Sequence, residues 1–95
     1  MLQFIVRGSV HPGKEEAFAQ KWRDCCGARI REMPEFQQAY MSADRATGVV
    51  QSVVLWNTMP DEAELRQYMQ ALTAQTADLV TGPTTVEWLE VLQHL

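Results

Sequence analysis

An α+β fold of order β-α-β-β-α-β is predicted for this chain by three observations. Strand-like segments with apolar residues at alternate positions open and close it, over Met1–Val10 and Thr84–Leu95. Between them lie two long stretches whose apolar residues recur at steps of three and four, the spacing of a helix face. At the centre, Phe36–Ala43 and Val49–Trp56 flank the short connection Asp44-Arg45-Ala46-Thr47-Gly48, which reads as a hairpin. In 95 residues there is no long linker, repeat or low-complexity tract, so residues 1–95 form one domain.

The first strand follows from Leu2, Phe4 and Val6 alternating with Gln3, Ile5 and Arg7. Gly8 marks either a bulge or a close approach of another group. His11-Pro12-Gly13 is a turn, since proline cannot donate to a ladder and glycine tolerates turn dihedrals. Lys14 to Met33 is the first helix. Phe18, Trp22, Cys25 or Cys26, Ile30 and Met33 share its inner face, with Lys14, Glu15, Glu16, Lys21, Arg23, Asp24 and Arg31 on the other. Gly27 costs ~1 kcal/mol against alanine in a helix and is read as room for a neighbouring element. Pro34 ends the helix, because it pushes the residue before it out of the α region.

On the second strand, simple alternation groups Phe36, Gln38 and Tyr40 against Ala39 and Met41. The third strand is the most β-like segment, with Val49, Val50, Val53, Val54, Leu55 and Trp56. Thr58-Met59-Pro60-Asp61 opens the second helix, with Thr58 read as the N-cap and Asp61, Glu62 and Glu64 favouring the positive end. Leu65, Met69, Leu72, Thr76 and Leu79 form its apolar stripe, and Gly82-Pro83 stops it. The last strand carries apolar residues on both faces, which predicts that both are covered.

The expected architecture is therefore a ferredoxin-like sandwich: a four-stranded antiparallel sheet with two helices on one face. Apolar residues on the opposite face cannot be left to water. Two copies packing open face to open face give a homodimer, a dimeric α+β barrel.

Composition excludes several roles. A net charge of −4 does not suit nucleic-acid binding, which needs a basic surface. No run reaches the ~18 apolar residues of a membrane span, and Met1 to Val6 lacks a basic leader, so no membrane association and a cytoplasmic setting are expected. Cys25 and Cys26 are adjacent. Helical neighbours point about 100° apart, so the pair is read as reduced thiols, at least one of them packed inward. No Cys or His stands at metal-ligand spacing, and no nucleophile–base pair or phosphate loop is present. No metal or cofactor is expected. The carboxylate pairs Glu15-Glu16 and Asp61-Glu62 lie in first helical turns, where the dipole accounts for them.

Three segments, in order along nearly the whole chain, carry a resemblance. Val10-His11-Pro12-Gly13-Lys14-Glu15-Glu16-Ala17-Phe18 follows the first strand, and Met33-Pro34-Glu35-Phe36-Gln37-Gln38-Ala39-Tyr40 leads into the second. Leu55-Trp56-Asn57-Thr58-Met59-Pro60-Asp61-Glu62-Ala63-Glu64-Leu65 joins the third strand to the second helix. Together they resemble the antibiotic-biosynthesis monooxygenase domain family. The resemblance implies a dimeric α+β barrel with an apolar pocket in each subunit between sheet and helices. It also implies an activity: cofactor-independent oxygenation of a small phenolic or quinol substrate. The haem-degrading relatives use an Asn on the first strand, a Trp on the third and a His on the second helix. Here those positions hold Val6 or Arg7, Trp56, and Tyr68 or Met69. Only the Trp is kept, and haem degradation is not expected.

On this resemblance Trp56, Tyr68 and Arg7 are the candidate catalytic residues, and Trp56, Asn57, Tyr40, Met69 and Val6 the candidate substrate contacts. Each has a plainer reading. Trp56 is either a core aromatic or a pocket wall stacking on a planar ligand, and Tyr68 either packs at an edge or donates to a phenolate. Arg7 reaches solvent, pairs with Glu87 or Glu90, or faces a pocket where its guanidinium would stabilise an oxyanion. Asn57 is a helix-start residue or a ligand contact, and Tyr40 stands likewise open. A non-enzymatic dimeric binding or assembly module is the alternative to the oxygenase.

Overall fold

A computed structural model describes all the residues of the chain, Met1–Leu95. Its strands are β1 (Leu2–Ser9), β2 (Phe36–Asp44), β3 (Val49–Trp56) and β4 (Thr85–Glu90). They form one sheet in the order β2-β3-β1-β4, with every neighbouring pair antiparallel. The first helix, α1, runs as α-helix over Glu15–Lys21, widens to a π-helix over Trp22–Gly27 and returns to α-helix over Ala28–Arg31. The second helix, α2, is Glu62–Thr76. The predicted element order and ferredoxin-like architecture are the ones observed, with both helices on one face of the sheet.

Alternation along the central strands sorts the side chains. Phe4 and Val6 of β1 and Val50, Val54 and Trp56 of β3 enter one core with Phe18, Cys26 and Ile30 of α1 and Tyr68 and Leu72 of α2. Phe4 also packs on Trp88 of β4, with ring centroids 4.5 Å apart. Val53 and Leu55 are buried but lie outside this cluster, on the opposite face, where Ile5 and Tyr40 flank Val53 in the register. Tyr40 is 47% exposed and Leu89 46%, so the helix-free face presents large apolar side chains to solvent on its two edge strands, with Val53 and Leu55 buried on β3 between them.

Four details depart from the sequence reading. The strand β2 contains a bulge, since Phe36 pairs with Trp56 but Gln38 with Leu55, leaving Gln37 as the extra residue. That shift moves Phe36 to the helix-covered face, where it meets Trp56 edge-on at a centroid distance of 6.2 Å. Asp61, not Thr58, caps α2, its side chain accepting from the backbone N–H of Glu64 at 2.9 Å. The helix ends at Thr76 rather than Gly82, because the chain turns to bring Leu79 into the core and Val80 into a bridge with Val10. The strand β4 stops at Glu90, and beyond it Leu92 and Leu95 are exposed. Gly8 makes no bulge: its strand pairs regularly, and a Cβ there would stand 2.9 Å from Thr84 Cγ2. Close approach explains that glycine.

Candidate functional site

Between the sheet and α2 lies an apolar cavity of about 310 Å³, at the small end of ligand sites. Its floor is Val6 and Gly8 of β1 with Val50 and Ser52 of β3. Its roof is Met69, Leu72, Thr73 and Thr76 of α2, and Phe18 of α1 closes one side. Pro83 and Thr84, in the segment before β4, border the opening beside Gly8. The helical spacing of Met69, Leu72, Thr73 and Thr76 puts all four on one side of α2, and strand alternation puts the floor residues opposite them. Glycine at position 8 keeps the floor low where Thr84 crosses it.

One buried polar group in this wall stands out. Ser52 is only 2% exposed, and its Oγ reaches good hydrogen-bond geometry with no group, the Tyr68 hydroxyl being its near neighbour. A buried hydroxyl left unpaired costs about 1–3 kcal/mol, a cost that a ligand oxygen in the cavity would remove. By contrast, Thr76 is satisfied internally, donating to the Leu72 carbonyl at 2.6 Å. Behind Ser52 stands Tyr68, fully buried, its hydroxyl accepting a 2.9 Å hydrogen bond from Trp22 Nε1. Burial pushes the Tyr68 phenol up to about 12, against the downward pull of the Trp22 N–H and the nearby Ser52 hydroxyl. Tyr68 therefore stays protonated at neutral pH. No residue of the cavity wall is itself titratable.

The residues singled out from sequence fall in three places. Val6 and Met69 line the cavity. Trp56 and Tyr68 are fully buried core side chains that do not border it; Trp56 packs on Phe36, and its Nε1 has no partner. Arg7 and Tyr40 lie on the helix-free face, and Asn57 is exposed beyond β3. Arg7 cannot reach the cavity because alternation after the inward Val6 turns it outward, where Nε and Nη2 donate to Gln51 Oε1 at 2.9 and 2.6 Å. Its partner is thus Gln51, opposite it in the β1–β3 register, rather than Glu87 or Glu90. Tyr40 faces outward for the same reason, and Asn57 uses its backbone N–H to bond the Glu35 carbonyl at 2.8 Å. The sequence reading missed Ser52. Its signal was a lone hydroxyl at an inward position of a valine strand, between Val50 and Val54.

No family model matches the chain, and no curated protein does. Solved structures do. A Nitrosomonas europaea protein provisionally named an antibiotic biosynthesis monooxygenase superposes with a TM-score of 0.73 at 19% identity, covering 98% of this chain and 100% of its own. A second Nitrosomonas europaea protein, of unknown function, gives 0.73 at 21% identity over 99% of this chain and 91% of that one. A variant of SnoaB, a cofactor-independent oxygenase from Streptomyces nogalater, gives 0.66 at 19% identity over 99% and 95%. The chain has the fold of these structures along nearly its whole length.

Proposed function

We propose that the chain binds a small aromatic hydroxy compound in the cavity under α2 and oxygenates it without metal or flavin. The observation that carries this reading is the buried Ser52 hydroxyl, held in no good hydrogen bond, in a largely apolar wall. A planar ring fills the apolar space, and its one oxygen pairs with Ser52. The name of SnoaB, a cofactor-independent oxygenase of the same fold, supports the reaction class. Fold alone does not assign chemistry.

The wall has no base, so the substrate supplies its own reactivity. An electron-rich phenolate or enolate passes electron density to dioxygen directly; one oxygen atom enters a ring carbon as a carbonyl, and the other leaves as water with that carbon's hydrogen and the proton of the ring hydroxyl, leaving a quinone. The protein's share is to orient the ring, exclude water and donate from Ser52 to the ionised oxygen. The Trp22–Tyr68 hydrogen bond holds the layer behind Ser52 in place. A binding-only role has one observation in its favour, the absence of any titratable wall residue. Oxygen uptake against a panel of quinols and anthrone-like phenols separates the two. Uptake with one-to-one product formation supports the oxygenase. Saturable binding with no uptake across the panel leaves the binding module.

A further inference from the structure

The π-helical stretch of α1 holds two adjacent cysteines that the cavity does not use. Residues Trp22–Gly27 form this stretch, and π turns inside α-helices are frequent at functional positions. In this wider turn Cys25 Sγ and Cys26 Sγ stand in direct contact, although helical neighbours ordinarily diverge. The two thiols differ in access: Cys26 is fully buried in the core, while Cys25 is half-buried. The Tyr68 hydroxyl is held by Trp22 Nε1 from the same π segment.

We propose that Cys25 and Cys26 form a peroxide-oxidisable dithiol, with Cys25 as the attacking thiol and Cys26 as the resolving one. In the first step Cys25 sulphur attacks hydrogen peroxide or an organic hydroperoxide. An S–O bond forms, the O–O bond breaks, and the peroxide is reduced to water or an alcohol, leaving Cys25 as a sulfenic acid. In the second step Cys26 sulphur attacks that sulphur. The S–S bond forms, the S–O bond breaks, and the hydroxyl leaves as water with the Cys26 proton. Two electrons pass from the thiol pair to one peroxide. The buried partner needs no solvent access, because the atom it attacks is already beside it. A ring closed between adjacent residues does not fit helical dihedrals, so oxidation opens the π turn and draws Trp22 off Tyr68. This site stands whether or not the cavity proves catalytic.

The test treats the native full-length protein with stoichiometric hydrogen peroxide and digests it with trypsin after alkylating free thiols. Cleavage after Arg23 and Arg29 releases both cysteines in one peptide. The expected product is that peptide lighter by two hydrogens and closed to alkylation, restored by dithiothreitol, with a change in tryptophan emission that Trp22→Phe removes. In Cys26→Ser, Cys25 should instead be captured as a sulfenic acid by dimedone, which traps almost none in the wild type. Circular dichroism confirms that each variant is folded. Three results each overturn the proposal: both thiols surviving, Cys25 proceeding to sulfinic acid with Cys26 intact, or disulfides only between chains.

Discussion

Ser52 and Trp56 lie on the same face of β3, two alternations apart, yet the structure gives them different work. The tryptophan is packed against Phe36 in the core, and the serine borders the cavity with an unused hydroxyl. Tyr68 is the third member of this neighbourhood, and its burial makes a pH prediction. The folded phenol titrates near 12 and the unfolded one at its ordinary 10.0, so the folded state keeps a proton that the unfolded state loses. The contribution is present in full below pH 10.0 and is lost as pH rises through about 12. Tyr68→Phe should flatten the alkaline fall in stability by on the order of 3 kcal/mol across that window, read by urea denaturation at stepped pH. An equally steep fall in the variant would contradict the assignment. At neutral pH the same substitution leaves Trp22 Nε1 unpaired, at a cost of about 1 kcal/mol. Little of this was legible beforehand. A tyrosine on a helix stripe does not announce whether its hydroxyl meets water or an indole from another helix.

At the level of elements, all four strands and both helices were readable, because their periods persist through every segment. Register was less so. Counting alternation through β2 put Phe36 on Tyr40's face, and the bulge at Gln37 reverses it. The π turn of α1 was hidden too, since Gly27 and the apolar steps fit an ordinary α-helix equally well. Two side chains compete to cap α2, and backbone geometry selects Asp61 because its carboxylate reaches the Glu64 N–H. Asp61→Ala should therefore destabilise the fold by about 1 kcal/mol, whereas Thr58→Ala should change it by less than about 0.5 kcal/mol. Equal effects, measured by thermal or urea unfolding, would mean that the cap is shared.

For the molecule as a whole, the sheet order β2-β3-β1-β4 places Ile5, Val53 and Leu55 at the centre of a face with no helix on it, and Tyr40 and Leu89 toward its sides. Pairing of this face between two copies remains our proposal for the assembly. It predicts a dimer in sedimentation, converted to a folded monomer by Tyr40→Lys with Leu89→Lys, because both side chains are surface-exposed and charge is costly in an apolar interface. A monomeric wild type would overturn it. Arg7 belongs to this face as well, which is why a charge in a short apolar strand gave no guide to the cavity. The central claim concerns the opposite face, where the buried Ser52 hydroxyl in a small, largely apolar cavity is the proposed partner of one ligand oxygen. Calorimetric titration of a naphthol and of its deoxy counterpart, naphthalene, into wild type and Ser52→Ala tests it most directly. The account predicts that Ser52→Ala weakens naphthol binding by about tenfold and leaves naphthalene unchanged or tighter. Equal effects on both compounds, or naphthol binding that survives the substitution intact, would contradict it.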